Sequence, residues 1–174
     1  MSDKVIGIVN LGISNVNSVA NAFKKIGVKT NIIDAPVDIR KFNNLVLPGV
    51  GAFDSAMCKI NNSGWRDELD SAIVEQKKKI LGICLGMQLM CKSSEEGVCK
   101  GLAWVDANVR KFTVDECGDV KIPMMGWNEI KSNYPSSKLI DRGSRYYFEH
   151  SYFVTCHKND VVNATSTHGS KTYT

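Results

Sequence analysis

The sequence predicts an α/β fold with a mostly parallel sheet, helices on both faces and a β-rich C-terminal half. Three observations support this prediction. Short apolar runs alternate with amphipathic helical segments through the first half of the chain. Beyond Gly101 the helical periodicity gives way to segments typical of strands. The chain has 174 residues, 43% of them hydrophobic, which suits one substantial core and indicates a single domain.

The first half follows a β–α rhythm typical of a parallel sheet that is covered on both faces. Strands are predicted at Val5–Val9, Asn31–Ile33, Leu45–Leu47 and Lys79–Ile83, and helices at Asn17–Ile26, Trp65–Gln76 and Leu85–Cys91. The first helix places Val19, Ala22, Phe23 and Ile26 on one face, and Gly27 ends it. The apolar run Lys79–Ile83 has the length and composition of a buried central strand.

The second half is predicted to consist mainly of strands. They lie near Ala107–Phe112, Trp127–Lys131, Tyr146–Val154 and Val161–Thr165. The last residues, Lys171–Thr174, have the pattern of a β-hairpin interior.

Cys84 is the candidate nucleophile, because it stands where the buried strand meets the next helix. Gly82 and Gly86 flank it, which allows a strained strand-to-helix elbow with space for a substrate beside the sulfur. The N–H groups and dipole of the following helix favour a thiolate. The alternative is a buried structural cysteine in a tight connection.

A glycine loop follows the strand at Leu45–Leu47. Gly49 and Gly51 surround Val50, so the peptide planes can rotate and the Val50 N–H could face a developing negative charge. Such a loop also serves as a plain turn, and both interpretations remain open on this segment alone.

Composition and motifs exclude several other functions. The net charge of +4 comes from scattered cations without a basic stripe, so nucleic-acid binding is not expected. The six cysteines show no zinc spacing, and the loop at 10–15 lacks the glycines of a dinucleotide site, so neither a metal nor a cofactor is expected. No signal peptide or apolar span is present, which predicts a cytoplasmic protein that is not bound to membranes.

The combined motifs resemble the class I (triad) glutamine amidotransferases, and among these the glutaminase subunit of imidazole glycerol phosphate synthase. The resemblance runs from Val5 to the last residue. It rests on five segments that occur in the family's order: Leu47–Phe53, Gly82–Leu89, Ser93–Gly97, Gly126–Asn128 and Tyr147–Tyr152.

The resemblance implies that Cys84 attacks glutamine and forms a thioester, with release of ammonia. It places the oxyanion hole at the N–H groups of Val50 and Leu85, and the substrate-binding residues at Gly51, Gln88, Ser151 and Tyr152. For Gln88 the alternative is a surface role on the elbow helix, and for Tyr152 it is the core. The paired glycines further suggest an oxyanion hole that stays inactive until a partner docks.

The resemblance also implies a catalytic His-Pro-Glu segment, and none of the three histidines in this chain is followed by Pro-Glu. The general-base His and its Glu are therefore not assigned to any residue here. Residues 1–174 are expected to form a single glutamine amidotransferase domain that lacks its C-terminal end. His150 matches a family position beside the glutamine pocket that is not the base.

The implied partner is a separate cyclase or synthase subunit, which forms a heterodimer and receives the ammonia in histidine biosynthesis. Trp127 and Asn15 are the expected interface residues, although Asn15 could instead cap a helix. Met124 replaces a histidine common in the family. That change leaves open an ammonia supplier for a sugar amidotransferase in surface-polysaccharide biosynthesis. Further alternatives are a partner-independent thiol hydrolase and a non-catalytic partner-binding subunit.

Overall fold

The computed structural model describes residues 5–113, 121–133, 140 and 143–174. The first half forms a four-stranded parallel sheet in the order β2-β1-β3-β4. Its elements are β1 (Val5–Val9), α1 (Val16–Lys25), β2 (Lys29–Ile33), β3 (Asn44–Gly49), α2 (Phe53–Asn62), α3 (Trp65–Asp70), β4 (Lys79–Cys84) and α4 (Leu85–Leu89). A 3-10 helix at Pro36–Lys41 precedes β3, and a π-helical turn at Ser71–Glu75 extends α3. This part of the fold confirms the predicted β–α rhythm.

Two apolar layers hold helices against this sheet. The larger layer packs β-strand residues such as Leu45 and Leu47 against Met57 of α2 and Leu69 of α3, all fully or almost fully buried. The smaller one packs Ile8 and Val46 against α1. Burial of these side chains supplies the main driving force for the α/β half.

The predicted apolar face of α1 is partly wrong. Val16, Val19, Ala20 and Phe23 contact the sheet, whereas Ile26 is 72% exposed. The helix ends at Lys25, and Gly27 then adopts a φ of +76° that turns the chain towards β2. Ile26 therefore falls outside the helical face that its spacing suggested.

The prediction that Lys79–Ile83 is a buried central strand is also wrong in part. Within the described residues, β4 pairs with β3 alone and forms the edge of the parallel sheet. Its register places Leu81 in line with Val46, but α1 covers Val46 and leaves Leu81 53% exposed. An apolar run thus identified the strand without showing its position in the sheet.

The β-rich half contains two further sheets. Its strands are β5 (Ser93–Ser94), β6 (Ala107–Lys111), β7 (Met124–Ser132), β8 (Arg145–His150), β9 (Tyr152–Cys156), β10 (Ala164–His168) and β11 (Lys171–Tyr173). One sheet has the order β11-β10-β7-β8 and the other β5-β6-β9. Phe112 packs between them, with its ring centroid 4.8 Å from those of Phe153 and Tyr173.

The single strand predicted at Tyr146–Val154 is in fact two strands, β8 and β9. The chain leaves one sheet after His150 and enters the other at Tyr152, so Ser151 lies at the crossing. The strand predicted at Val161–Thr165 begins later, at Ala164, because residues Asn159–Val161 form a 3-10 turn. No helix within the described ranges is both long and apolar enough to span a bilayer.

Candidate functional site

Cys84 lies at a sharp elbow between β4 and α4. Its φ of +54° and ψ of −119° are unusual for a residue with a side chain, and its side chain is exposed. The structure therefore contradicts the alternative of a buried structural cysteine. A strained, exposed thiol between a strand and a helix is the geometry expected of a nucleophile.

The glycines around Cys84 are required by close packing. A Cβ on Gly86 would lie 1.8 Å from the Leu47 carbonyl oxygen, and one on Gly82 would lie 2.5 Å from the Cα of Met87. The end of β3 is thus pressed directly against the start of α4. Helix α4 has only five residues and is shorter than the predicted Leu85–Cys91. Its dipole therefore stabilises a thiolate at Cys84 less than its first N–H groups do.

Cys84 opens into a cavity of about 280 Å³. The cavity brings together Cys84, Leu85 and all four predicted substrate-binding residues. Its lining consists of Gly51, Cys84, Leu85, Gln88, Glu96, Pro123, Glu149, His150, Ser151 and Tyr152. Residues from the glycine loop, the elbow and the β8–β9 crossing therefore meet at one site, although they are far apart in the chain.

Gln88 and Tyr152 both contribute to the cavity wall. Gln88 is only 7% exposed, which contradicts its alternative role on the helix surface. Tyr152 lines the cavity and also packs against the apolar cluster around Val154, so the two roles proposed for it coexist. Burial, together with the carboxylates of Glu96 and Glu95, raises the pKa of the Tyr152 phenol, which stays neutral near pH 7.

The glycine loop that follows β3, where an oxyanion hole is predicted, does not turn its Val50 N–H towards Cys84. The Val50 N–H donates a hydrogen bond to the Ile13 carbonyl oxygen at 3.3 Å, and Val50 does not line the cavity. Gly51 has a φ of +96°, and nothing lies within 4 Å of the position that a Cβ would take. No side chain therefore obstructs the loop at Gly51, and the Val50 N–H is bonded to Ile13 rather than open to the cavity.

Glu96 and Glu149 are cavity residues whose roles the sequence interpretation missed. The Glu96 carboxylate accepts a hydrogen bond from the Phe53 N–H at 3.0 Å, which fixes it beside the start of α2. The signal was present in the Ser93–Gly97 motif, but nothing in its spacing showed that Glu96 lines the same cavity as Cys84. The Glu96 carboxylate lies near the Tyr152 phenol and gives the cavity an acidic side that suits an ammonium group.

His150 also lines the cavity. Its Nδ1–H donates to the Tyr152 carbonyl oxygen at 2.7 Å, and burial lowers its pKa, so the ring is neutral near pH 7. His157 instead bonds Asp106 through Nδ1 and accepts from Asn108 at Nε2, and His168 donates to the Lys121 carbonyl oxygen. Of the three histidines, only His150 borders the cavity.

The expected interface residues lie outside the cavity. Trp127 is 60% exposed and contacts the Tyr147 ring edge-on, at 5.8 Å between centroids. The Asn15 side chain accepts a hydrogen bond from the Ser18 N–H, so it caps α1. Within the described ranges, no group of three or more His, Cys, Asp or Glu side chains is placed to bind a metal ion.

The sequence is similar to a known protein family and to several named proteins. A family model described as "Glutamine amidotransferase class-I" matches residues 7–173. Proteins named imidazole glycerol phosphate synthase subunit HisH are similar: that of Leptospira interrogans is 35% identical, covering 95% of this chain and 82% of its own length. The subunit HisH 1 of Campylobacter jejuni strain RM1221 is 42% identical, covering 96% of this chain and 83% of its own length. The subunit HisH 2 of Methanococcus maripaludis is 43% identical, covering 92% of this chain and 80% of its own length.

Solved structures agree on the fold. A crystal structure of a glutamine amidotransferase superimposes with a TM-score of 0.69 at 14% identity, covering 96% of this chain and 86% of that one. A glutamine amidotransferase from Thermotoga maritima gives a TM-score of 0.56 at 16% identity, covering 99% and 74%.

Proposed function

The chain belongs to the class I glutamine amidotransferase family, and we propose that it is the glutaminase subunit of an imidazole glycerol phosphate synthase. It hydrolyses glutamine and delivers ammonia to a separate cyclase subunit in histidine biosynthesis. Relatives that carry this subunit's name are 35–43% identical over most of the chain. The observation that carries the proposal is the strained Cys84 elbow facing one cavity with Gly51, Gln88, Ser151 and Tyr152.

In the proposed reaction, the Cys84 thiolate attacks the carbon of the glutamine side-chain carboxamide. A C–S bond forms, the C–N bond breaks with protonation of the leaving nitrogen, and ammonia departs. Water then hydrolyses the thioester to glutamate and restores the thiol. The N–H groups of Leu85 and Val50 stabilise the tetrahedral oxyanion, and each such donor is worth about 3 kcal/mol. This chemistry needs no cofactor.

The polar lining supports recognition of an amino acid. The carboxylate of Glu96 suits the α-ammonium group of glutamine, because an ion pair in a partly enclosed cavity is stronger than one in water. In this proposal Gly51, Ser151 and Tyr152 contact the α-substituents, and Gln88 orients the side chain. The Phe53 N–H holds the Glu96 carboxylate in its position.

The Val50–Ile13 hydrogen bond supports a glutaminase that is nearly inactive alone. As long as the Val50 N–H is donated to Ile13, one of the two oxyanion donors is withdrawn. We propose that docking of the cyclase subunit rotates this peptide towards Cys84. Loss of one donor corresponds to a rate lower by about 10²–10³, which gives the expected size of the stimulation.

We further propose that none of the three histidines is the general base. Both ring nitrogens of His157 are already engaged, and His168 does not border the cavity. For His150, burial disfavours the imidazolium that a base must become. Residues 1–174 are proposed to form one domain, and the five cysteines among the described residues are all free, which suits the cytoplasm.

The alternatives to this function are not favoured. Met124, which motivated the sugar amidotransferase, is only 3% exposed and packs in the cluster around Phe112. It therefore presents little surface to a partner. The relatives' shared name likewise favours the enzyme over a non-catalytic subunit.

The direct test measures glutamate release by the purified full-length protein, first alone and then with a purified cyclase and the substrate of that cyclase. We expect slow basal turnover that rises about 100-fold or more in the complex, and no turnover by Cys84→Ser. Equal rates with and without the cyclase would contradict the gating proposal. Stimulation only by a sugar-modifying synthase would contradict the proposed pathway.

A further inference from the structure

Two cysteines that the glutaminase mechanism does not use come together beside α2. Cys58 is on the exposed surface of this helix, and Cys99 is half-buried in the segment that follows Glu95 and Glu96. The two thiols are free, and the Cys58 thiol is one of the neighbouring groups that raise the pKa of the Cys99 thiol. They are 41 residues apart in the chain, so their proximity is a product of the fold.

Asp54 fixes this arrangement. Its carboxylate accepts hydrogen bonds from the Val98 N–H at 3.0 Å and from the Cys99 N–H at 2.9 Å. Asp54 and Cys58 are one helical turn apart, so the residue that anchors Cys99 lies on the same side of α2 as Cys58. The same carboxylate lies near enough to the Cys99 thiol to raise its pKa.

The contact between the two segments is tight. A Cβ on Gly97 would fall 2.0 Å from the Asp54 carboxylate, so only glycine lets the loop approach α2 this closely. The backbone of Cys99 is thus held at a set distance from the helix. A disulfide requires two Cα atoms about 4.4–6.8 Å apart, and this packing fixes the Cys99 backbone against the helix that carries Cys58.

The environment keeps the reduced pair stable. Burial and the nearby Asp54 carboxylate raise the pKa of the Cys99 thiol, so it is protonated near pH 7 and reacts slowly by itself. Cys58 is the exposed member and is the one that a dissolved oxidant meets first. Asp54, Cys58 and Cys99 do not form a metal site among the described residues.

We propose that Cys58 and Cys99 form a reversible disulfide that ties α2 to the segment carrying Glu96. The oxidant is a small-molecule disulfide of the glutathione type. The Cys58 thiolate attacks it, forming a mixed disulfide and releasing one thiolate; Cys99 then displaces the second and closes the protein disulfide. The two protons of the cysteine thiols pass to the two glutathione thiolates. The pair is oxidised by two electrons and the glutathione disulfide is reduced by two.

The tether joins α2 to the segment that carries Glu96, which lines the cavity. Helix α2 begins at Phe53, whose N–H holds the Glu96 carboxylate, and Cys99 lies three residues beyond Glu96. The disulfide closes a ring of about 40 residues, which restricts the unfolded chain and stabilises the native one. Oxidation is therefore expected to raise the Tm and to restrain Glu96.

The test is a titration of the purified protein, in a Cys84→Ser background, through glutathione buffers from fully reduced to fully oxidised. Free thiols are blocked at each point and digests are mapped by mass spectrometry. We expect a linked peptide pair containing Cys58 and Cys99, with a mass about 2 Da below the sum of the reduced peptides. The linkage and a rise in Tm should both reverse with dithiothreitol.

Matched variants separate the pair from general oxidation. Cys58→Ser and Cys99→Ser should each abolish the linkage and the rise in Tm, whereas Cys156→Ser should change neither. Circular dichroism in the reduced state checks that each variant is folded. The proposal is overturned if the two thiols stay reduced, if they carry separate glutathione adducts in the fully oxidised buffer, or if they link to other cysteines.

Discussion

The Val50 N–H is hydrogen-bonded to the Ile13 carbonyl oxygen, 3.3 Å away, while the thiol that it should serve lies at the end of the neighbouring strand. Gly49 is the register partner of Cys84, so the loop and the nucleophile are adjacent. In the proposed reaction, the nucleophile is thus in place before the oxyanion hole is complete. The Val50 N–H belongs to the Gly49–Val50 peptide, and we propose that rotation of this peptide, through ψ of Gly49 and φ of Val50, turns the N–H towards Cys84.

Gly51→Ala should lower cyclase-stimulated glutaminase activity on the order of 100-fold, about the effect of losing one oxyanion donor. No neighbouring atom obstructs a Cβ here, so the cost is purely conformational. The matched control is Gly27→Ala, which has a φ of +76° and the same open surroundings but lies after α1. It should lose similar stability and keep its glutaminase rate. Equal rates for both variants would contradict the role of the loop.

Cys84→Gly should abolish glutaminase activity and raise the free energy of unfolding by about 1 kcal/mol. The φ of +54° is costly for cysteine and allowed for glycine, and the exposed thiol contributes little packing. Cys84→Ser serves as the control, since it removes the thiol and keeps the strain. Chemical denaturation of the three proteins measures the difference. A Gly variant no more stable than the Ser variant would show that the elbow stores no strain.

The parts of the fold that the sequence predicted correctly are those with a strong local signal. The apolar runs gave β1 to β4, and Gly82 and Gly86 indicated the elbow because no other residue fits there. Helix α2 was missed, although Phe53, Ala56, Met57 and Ile60 have helical spacing and are fully buried. Its pattern overlaps the glycine loop motif, because Phe53 is both the last residue of that motif and the first of the helix.

What the sequence could not show depends on contacts between distant segments. Strand β4 is at the edge of its sheet because, among the described residues, it pairs with β3 alone, and an apolar run does not encode the number of neighbouring strands. The break at Ser151 arises because two sheets diverge there, and a continuous β-pattern crosses it unchanged. Glu96 likewise reaches the cavity beside Cys84 through the packing of its loop on α2.

Trp127→Ala should weaken binding of the cyclase subunit by about 2 kcal/mol, or roughly 30-fold, as expected for an exposed aromatic at an interface centre. Trp127 and Tyr147 are register partners on one face of the β7–β8 pair, beside Met125. Tyr146→Ala is the control, because Tyr146 is next to Tyr147 on β8 but its side chain lies on the opposite face of the strand pair. Calorimetric titration measures both. If complex formation and stimulated glutaminase are unchanged in Trp127→Ala, the interface lies elsewhere.

The free energy of unfolding should fall as the pH drops below about 6.5, partly because of His150. Burial lowers its pKa in the folded protein, so the unfolded chain binds the proton first. The stabilisation is therefore complete above the unfolded pKa and is lost as the pH falls towards the folded one. The slope from one such group is at most about 1.4 kcal/mol per pH unit.

His150→Gln should flatten that slope, whereas its difference from the native protein above about pH 8 should not vary with pH. Urea denaturation at several pH values gives both quantities. A variant with the native slope would mean that other groups are responsible.

The central claim is that Cys84 is the nucleophile of a glutamine site, and covalent labelling tests it most directly. The protein is incubated with an electrophilic glutamine analogue, with and without the cyclase subunit, and the adduct is mapped by mass spectrometry. The account predicts a single adduct on Cys84, formed faster in the complex and prevented by excess glutamine. Labelling of other cysteines at the same rate, or none on Cys84 in the complex, would contradict it.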